Sequence, residues 1–259
     1  MAVRSPLFLN GGVLQETSPD DILNVSEYVT GAKPFINGTV LGPTGSNLLV
    51  GDNDIYTVPS GKSFLLLNSN VFNGAGGANT IYATTKVGGI YYRMTASTSL
   101  AANASQAFLS NTAFEAGDVL SLNCTAAGAN CFISGVLYDE SSAIKPQRKL
   151  GLTTGNNTLY TCPSGKVAQV IGSSSFDGIS SIIRVANGPG TRSIYFNVVP
   201  SGGSPNSTNR FSSAGSLTAN NAAIASGLIT LNAGDFINLN IDLGTAAQSA
   251  WLKVLELEA

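Results

Sequence analysis

Apolar and polar residues alternate along this chain in short bursts. In "GDVLSLN" (117–123) and "GDFINLN" (234–240), Val119 or Phe236 and the leucines at 122 and 239 mix with polar partners, the pattern of a half-buried strand. "SFLLLNSNVF" (63–72) is β-like as well, because Asn and Ser break any helical period. "TIYATTKVGGIYYRMTAS" (80–97) reads as two strands around Gly88-Gly89, a two-residue hairpin loop, and "RSIYFNVVPSGG" (192–203) is its later counterpart. Strands every ~8–12 residues with turn signals between them predict a sandwich or jelly roll. The one helical pattern is "SPDDILNVSEYV" (18–29). There Ser18 suits the N-cap, Pro19 the first helical position and Asp20 and Asp21 the positive end, with Ile22, Val25 and Val29 on one face.

The chain also repeats itself. Tyr56-Thr57-x-Pro59-Ser60-Gly61-Lys62 returns as Tyr160-Thr161-x-Pro163-Ser164-Gly165-Lys166, an offset of 104 residues, and Gly51 and Asn53 return as Gly155 and Asn157. "FEAGDVLSLN" (114–123) matches "LNAGDFINLN" (231–240) at an offset of 117, which places a 13-residue insertion in "PSGGSPNSTNRFSS" (200–213). Each copy closes on a β run, "CFISGVLYDE" (131–140) or "SAWLKVLELEA" (249–259).

Gly61-Lys62-Ser63 ends like a phosphate-cradling loop, but such a loop needs a glycine five residues before Gly61, and Tyr56 stands there. The second copy has Val167 where the metal-binding hydroxyl belongs. Both copies read as turns, with Pro fixing φ at the second position and Ser-Gly completing the bend.

Composition narrows the function. Charged residues are 11% of the 259, against about 25% in an average domain, while hydrophobic residues reach 43% and glycines number 29. That suits short strands joined by small polar turns, with a core large enough to exclude disorder. Net charge is −2 with no basic run, so nucleic-acid binding has no footprint. Nothing approaches the ~18 apolar residues of a membrane span. The apolar run Pro6 to Leu9 is too short for a signal peptide, which points to synthesis in a cytoplasm.

Candidate chemistry is sparse. The absence of histidine removes His-activated nucleophiles and His-based metal sites. Cys124, Cys131 and Cys162 form no C-x-x-C pair; Cys124 and Cys131 flank a hairpin-like stretch, yet read best as two small buried thiols, with no metal or other cofactor expected. Cys162 replaces Val58 of the first copy and fills an apolar slot. Asp118 and Asp235 occupy equivalent places and read as turn residues rather than catalytic acids. Tyr82, Tyr91, Tyr92, Tyr195, Phe196 and Trp251 are either an aromatic platform for a glycan or cross-strand packing, and packing is the commoner fate.

Taken together, "YTVPSGK … AGDVLSLN … SGVLYDE" resembles the β-sandwich module of tailed-bacteriophage virion proteins. The opening is similar to the N-terminal segment of many phage tail-fibre proteins, with Arg4, Pro6, Leu7, Leu9, Gly12, Leu14 and Glu16 on the matching positions. The resemblance implies a non-enzymatic structural protein of the virion, either a tail-fibre or appendage component or a capsid decoration (cement) protein. Its partners would be other virion proteins and copies of itself, most often as a trimer. A host-surface glycan is the alternative partner.

The expected layout is all-β: an extended anchoring arm and one short helix (1–40), a jelly-roll-like β-sandwich (41–140), an exposed linker (141–149) and a second sandwich in tandem (150–259). Pro6, Leu7, Phe8, Leu9 and Leu14 of the arm are the expected partner interface, since an extended apolar segment gains most by adding to a neighbour's sheet or groove.

Overall fold

The computed structural model describes residues 7–10, 13–16, 47–110, 112–170, 173–174, 180–186, 190–205, 210–211, 215–218, 222–226, 229–242, 244 and 248–259. The expected helix at 18–29, Pro6, and much of the 200–213 insertion lie outside them. The described residues are all-β, with no helix. Contacts divide the chain into two units, Met1–Asn37 and Gly38–Ala259.

In the first unit, β1 (Leu7–Asn10) and β2 (Val13–Glu16) pair antiparallel, with Leu9 opposite Leu14 and Asn10 opposite Val13. The segment expected as an extended arm is therefore a hairpin. Gly11 and Gly12, between the two strands in the sequence, lie outside the described residues.

The second unit begins its regular structure with β3 (Gly51–Thr57), β4 (Lys62–Asn73), β5 (Asn79–Val87), β6 (Ile90–Arg93), β7 (Thr98–Leu100), β8 (Ser105–Ala107), β9 (Thr112–Phe114), β10 (Val119–Cys124) and β11 (Ala129–Asp139). It continues through β12 (Ile144–Leu150), β13 (Gly155–Thr161), β14 (Lys166–Val170), β15 (Ser173–Ser174), β16 (Ser180–Ala186) and β17 (Arg192–Val199). It ends with β18 (Gly215–Leu217), β19 (Ala222–Ser226), β20 (Ile229–Leu231), β21 (Phe236–Ile241) and β22 (Ser249–Glu258). In the first half, β3-β10-β5-β6 form one sheet with β7 beside β5, and β11-β4-β8 another with β9 beside β4. In the second half the sheets are β13-β21-β17-β18 and β15-β16-β22-β14-β20, with β12 beside β22 and β19 beside β16.

The pairing β3-β10-β5 thus recurs as β13-β21-β17, and β11-β4-β9 as β22-β14-β20. Alternation explains where the apolar residues go. Leu120 and Leu122 on β10, Ile81 on β5, Phe64 and Leu66 on β4 and Ile133 on β11 belong to one buried cluster drawn from both first-half sheets. Leu239 and Ile237 on β21, Phe196 on β17, Ala168 on β14 and Leu252 on β22 belong to a second cluster. The Gly88-Gly89 hairpin forms as expected, with φ of 58° and 84°, the positive pair that a type I′ turn needs.

Two expectations need correcting here. Residues 141–149 are not an exposed linker: β12 runs through them and pairs with β22 from Ile144 opposite Leu255 to Leu150 opposite Ser249. Pro146 is tolerated because β22 is the one strand with which β12 forms a ladder among the described residues, so a missing N–H on its outer edge costs no bond. Nor do the halves part at that point. Trp251 of β22, although on a second-half strand, is buried in the first-half cluster, and Leu150 packs against the same cluster.

Candidate functional site

The two repeated motifs meet in space. Val58 N–H donates to the Asp118 carbonyl and Gly117 N–H donates back to the Val58 carbonyl, both at 2.9 Å. In the second half, Cys162 N–H donates to the Asp235 carbonyl and Gly234 N–H to the Cys162 carbonyl, again at 2.9 Å. Each PSGK turn is thereby clasped to its AGD turn through backbone alone, and Val58 and Cys162 stand in the same buried slot. The turns correct one detail of the sequence reading. Lys62 N–H donates to the Pro59 carbonyl and Lys166 N–H to the Pro163 carbonyl, so proline holds the first position, not the second. Gly61 and Gly165, each at φ 72°, supply the positive third position of a type II turn.

Asp118 and Asp235 fold back on their own turns. Asp118 Oδ2 accepts from the Glu115 N–H at 3.0 Å, and Asp235 Oδ2 from the Asn232 N–H at 2.9 Å. Asn53 and Asn157 also do the same work in both halves. Asn53 Oδ1 accepts from Leu49 N–H and its Nδ2 donates to the Leu49 and Gly51 carbonyls; Asn157 bonds Thr153 and Gly155 in the same way.

The halves join around Asp118. Arg148 Nη1, on β12, reaches Asp118 Oδ2 at 2.7 Å and Glu115 Oε2 at 2.6 Å. Asp118 is 1% exposed, and burial pushes its carboxyl up to about 6 against the pull of Arg148. Burial raises Glu115 as well, again opposed by Arg148. Beside them Trp251 stands 6.4 Å from Phe114, ring centre to ring centre, and donates its indole N–H to Ser249 Oγ at 2.8 Å. Ser249 Oγ in turn donates to the Arg93 carbonyl at 3.0 Å. Lys253, two residues further along β22, is buried, and desolvation lowers its ammonium to about 8. The sequence reading did not anticipate this junction.

The aromatic residues do not form one platform. Trp251 and Phe196 are core residues. Tyr82 lies under the Arg93 guanidinium at 3.9 Å and Tyr195 under Arg210 at 3.7 Å. These are matching positions: Tyr82 is opposite Asn123 and Tyr195 opposite Asn240, while Arg93 is opposite Thr84 and Arg210 opposite Asn197. The signal for this pair in the sequence was the recurring Ile-Tyr of 81–82 and 194–195. Nearby, Asp54 accepts from Lys86 Nζ at 2.8 Å and from Tyr91 Oη and Ser121 Oγ at 2.9 Å. Burial would raise its pKa, but these bonds outweigh burial and hold the carboxyl below its ordinary value. The second half has Thr158 at the place of Asp54 and an amide cluster, Asn156, Asn238 and Asn240, in place of the charges.

Of the expected interface residues, Leu7, Phe8 and Leu9 are on β1 and Leu14 on β2, with Leu7 opposite Glu16 and Phe8 opposite Gln15. All three cysteines are free and buried; burial pushes Cys124 up to about 11 and Cys131 to about 12, so neither is a ready nucleophile. Among the described residues no group of His, Cys, Asp or Glu is arranged to hold a metal ion, and no helix is long and apolar enough to cross a membrane.

No family model matches the chain, and no curated protein matches it. Among solved structures the chain is similar to the STIV major capsid protein, at 11% identity and a TM-score of 0.30, covering 84% of this chain and 96% of that one. At that score the likeness carries no argument about function.

Proposed function

We propose that this chain is a non-enzymatic structural protein of a virion. Its body is two tandem jelly-roll-like β-sandwich modules arising from one duplicated unit, with β12 part of the second. Its N-terminal segment docks the body onto other virion proteins, as a tail-fibre or appendage component or as a capsid decoration (cement) protein. Copies assemble as a homo-oligomer, with a trimer the expected state.

The observation that carries this reading is the clasp of PSGK to AGD, found with the same two backbone bonds in both halves. These motifs are the ones that resemble phage virion modules, and their residues are spent on holding turns together. Asp118 and Asp235, the carboxylates that a catalytic reading would have chosen, each accept a turn N–H through Oδ2. The test is incorporation into particles. Deleting residues 1–17 should abolish incorporation while the purified body keeps its β-type circular dichroism; unchanged incorporation refutes the anchor.

A second reading, a module that binds host-surface carbohydrate, is favoured by the matched Tyr82–Arg93 and Tyr195–Arg210 stacks and by Tyr91 beside Asp54. It ranks behind the first because the arginines cover the tyrosine faces that a sugar ring would stack on. A glycan array that gives a signal lost in Tyr91→Ala would reverse the order.

A further inference from the structure

The two halves share a register that extends to their last strands. Lys62 is opposite Asp139 on β11, and Lys166 is opposite Glu258 on β22, each pair joined by a salt bridge. Followed back along the strands, that register puts Phe132 at the place of Trp251 and Asn130 at the place of Ser249. The correspondence holds at the far end, where the Leu48 N–H donates to the Ala129 carbonyl and the Leu152 N–H to the Gln248 carbonyl.

These equivalent positions differ in one respect. On β22 the face carrying Ser249 and Trp251 is closed, at 0% and 4% exposure, because the first half covers it. On β11 the same face is open. Phe132 is 43% exposed; Phe72, which is opposite Asn130 and so diagonal to Phe132, is 41% exposed. The first-half surface beside Trp251 and Ser249 carries Arg93, whose carbonyl takes the Ser249 hydroxyl, and Glu115 and Asp118, which pair with Arg148 opposite Trp251. Its second-half equivalents are Arg210, Asn232 and Asp235, of which the first two are exposed and the third half-buried.

We propose that the open β11 face is an interface between copies: the Phe132 and Phe72 surface of one copy docks on the Arg210, Asn232 and Asp235 flank of the next. The partner is a second copy of this chain, because this chain already builds that contact once, within itself, around Trp251. A contact between two different surfaces is head-to-tail, so it closes into a ring or grows into a filament. The inference rests on the reading of the chain as an assembling protein and gives that assembly its surface.

The test is cross-linking of the full chain in solution. Ser249 bonds the Arg93 carbonyl, and their equivalents are Asn130 and Arg210. With a short bis-maleimide, Asn130→Cys mixed with Arg210→Cys should give a covalent dimer, whereas either variant alone should stay at 26.5 kDa. The native cysteines are buried and contribute little background. In sedimentation, the unmodified chain should show at least double that mass, falling to one copy in Phe132→Asp. A chain that is monomeric throughout overturns the proposal, as does an Asn130→Cys variant that dimerises by itself, or association that survives Phe132→Asp. None of these results bears on incorporation through residues 1–17, so the two readings fail separately.

Discussion

Replacing Trp251 with alanine tests whether the second half completes the core of the first. The indole is 4% exposed, sits within the first-half cluster and is the only tryptophan in the chain. A buried tryptophan removes about 200 Å² from water, worth about 5 kcal/mol at ~25 cal/mol/Å². Partial collapse of the cavity and a less than fully extended unfolded chain reduce this, so a loss of about 3–5 kcal/mol is expected. The Ser249 hydroxyl keeps its bond to the Arg93 carbonyl, so no donor is orphaned by the change. At about 2–4 °C per kcal/mol for a unit of this size, the melting temperature should fall by roughly 6–20 °C. The assay is urea unfolding followed by circular dichroism, with tryptophan fluorescence as a second probe of the unmodified chain. Emission should be blue-shifted in the native state, and its transition should coincide with that of the circular dichroism, because one residue belongs to both halves. Phe132→Ala is the internal control at protein concentrations low enough to keep copies apart: it occupies the matching position but is 43% exposed in one copy, so there it should cost less than about 1 kcal/mol. Equal costs at the two positions, or a red-shifted native emission, would refute the reasoning.

Three further outcomes follow from the same structure. Arg148→Ala should cost about 3–5 kcal/mol in chemical denaturation, because it strips the cation from buried Asp118, and adding Asp118→Asn should recover part of that loss. Stability should pass through a minimum between pH 6 and pH 8. Folded Asp118 holds its proton up to about 6, above its ordinary 3.8, so stability is lost as the pH climbs through that window; folded Lys253 releases its proton from about 8, below its ordinary 10.5, so stability returns above it. Each limb amounts to at most about 3 kcal/mol. Denaturation at pH 4.5, 7 and 9.5 checks this, and Asp118→Asn should flatten only the acid limb. Finally, Gly165→Ala should cost about 1 kcal/mol through its positive φ alone, with nothing within 4 Å of the new methyl. Gly135→Ala should cost more, about 2–3 kcal/mol or above, because its methyl would lie 2.4 Å from the Phe64 ring and 2.5 Å from the Leu65 carbonyl. Paired thermal melts will show whether that order holds.

Local signals were legible in the sequence because they act locally. Gly88-Gly89 announces its hairpin, Asp118 and Asp235 their turns, and Val119 to Cys124 a strand, although Ser121 on its polar face is buried as well. What lay beyond reading was pairing across distance. PSGK and AGD were visible as two repeated motifs, but that each clasps the other depends on backbone groups, which the side-chain pattern does not report. "SSAIKPQRK" reads as a linker because its charges and proline suit solvent; β22 is long enough to pair with it on one edge and with β14 and β16 on the other. Trp251 stands in an alternating run, and alternation cannot say that the second face of a strand is also covered. Lys253 is hidden for the same reason.

Trp251 also imposes an order on synthesis. β22 follows every other described strand, and the first-half cluster lacks a wall until that strand arrives. On the ribosome, residues 51–139 can pair their sheets early, yet their interior stays unsealed until translation has passed Trp251. A chain interrupted before that point would present an open apolar pocket, a natural target for chaperones and proteases.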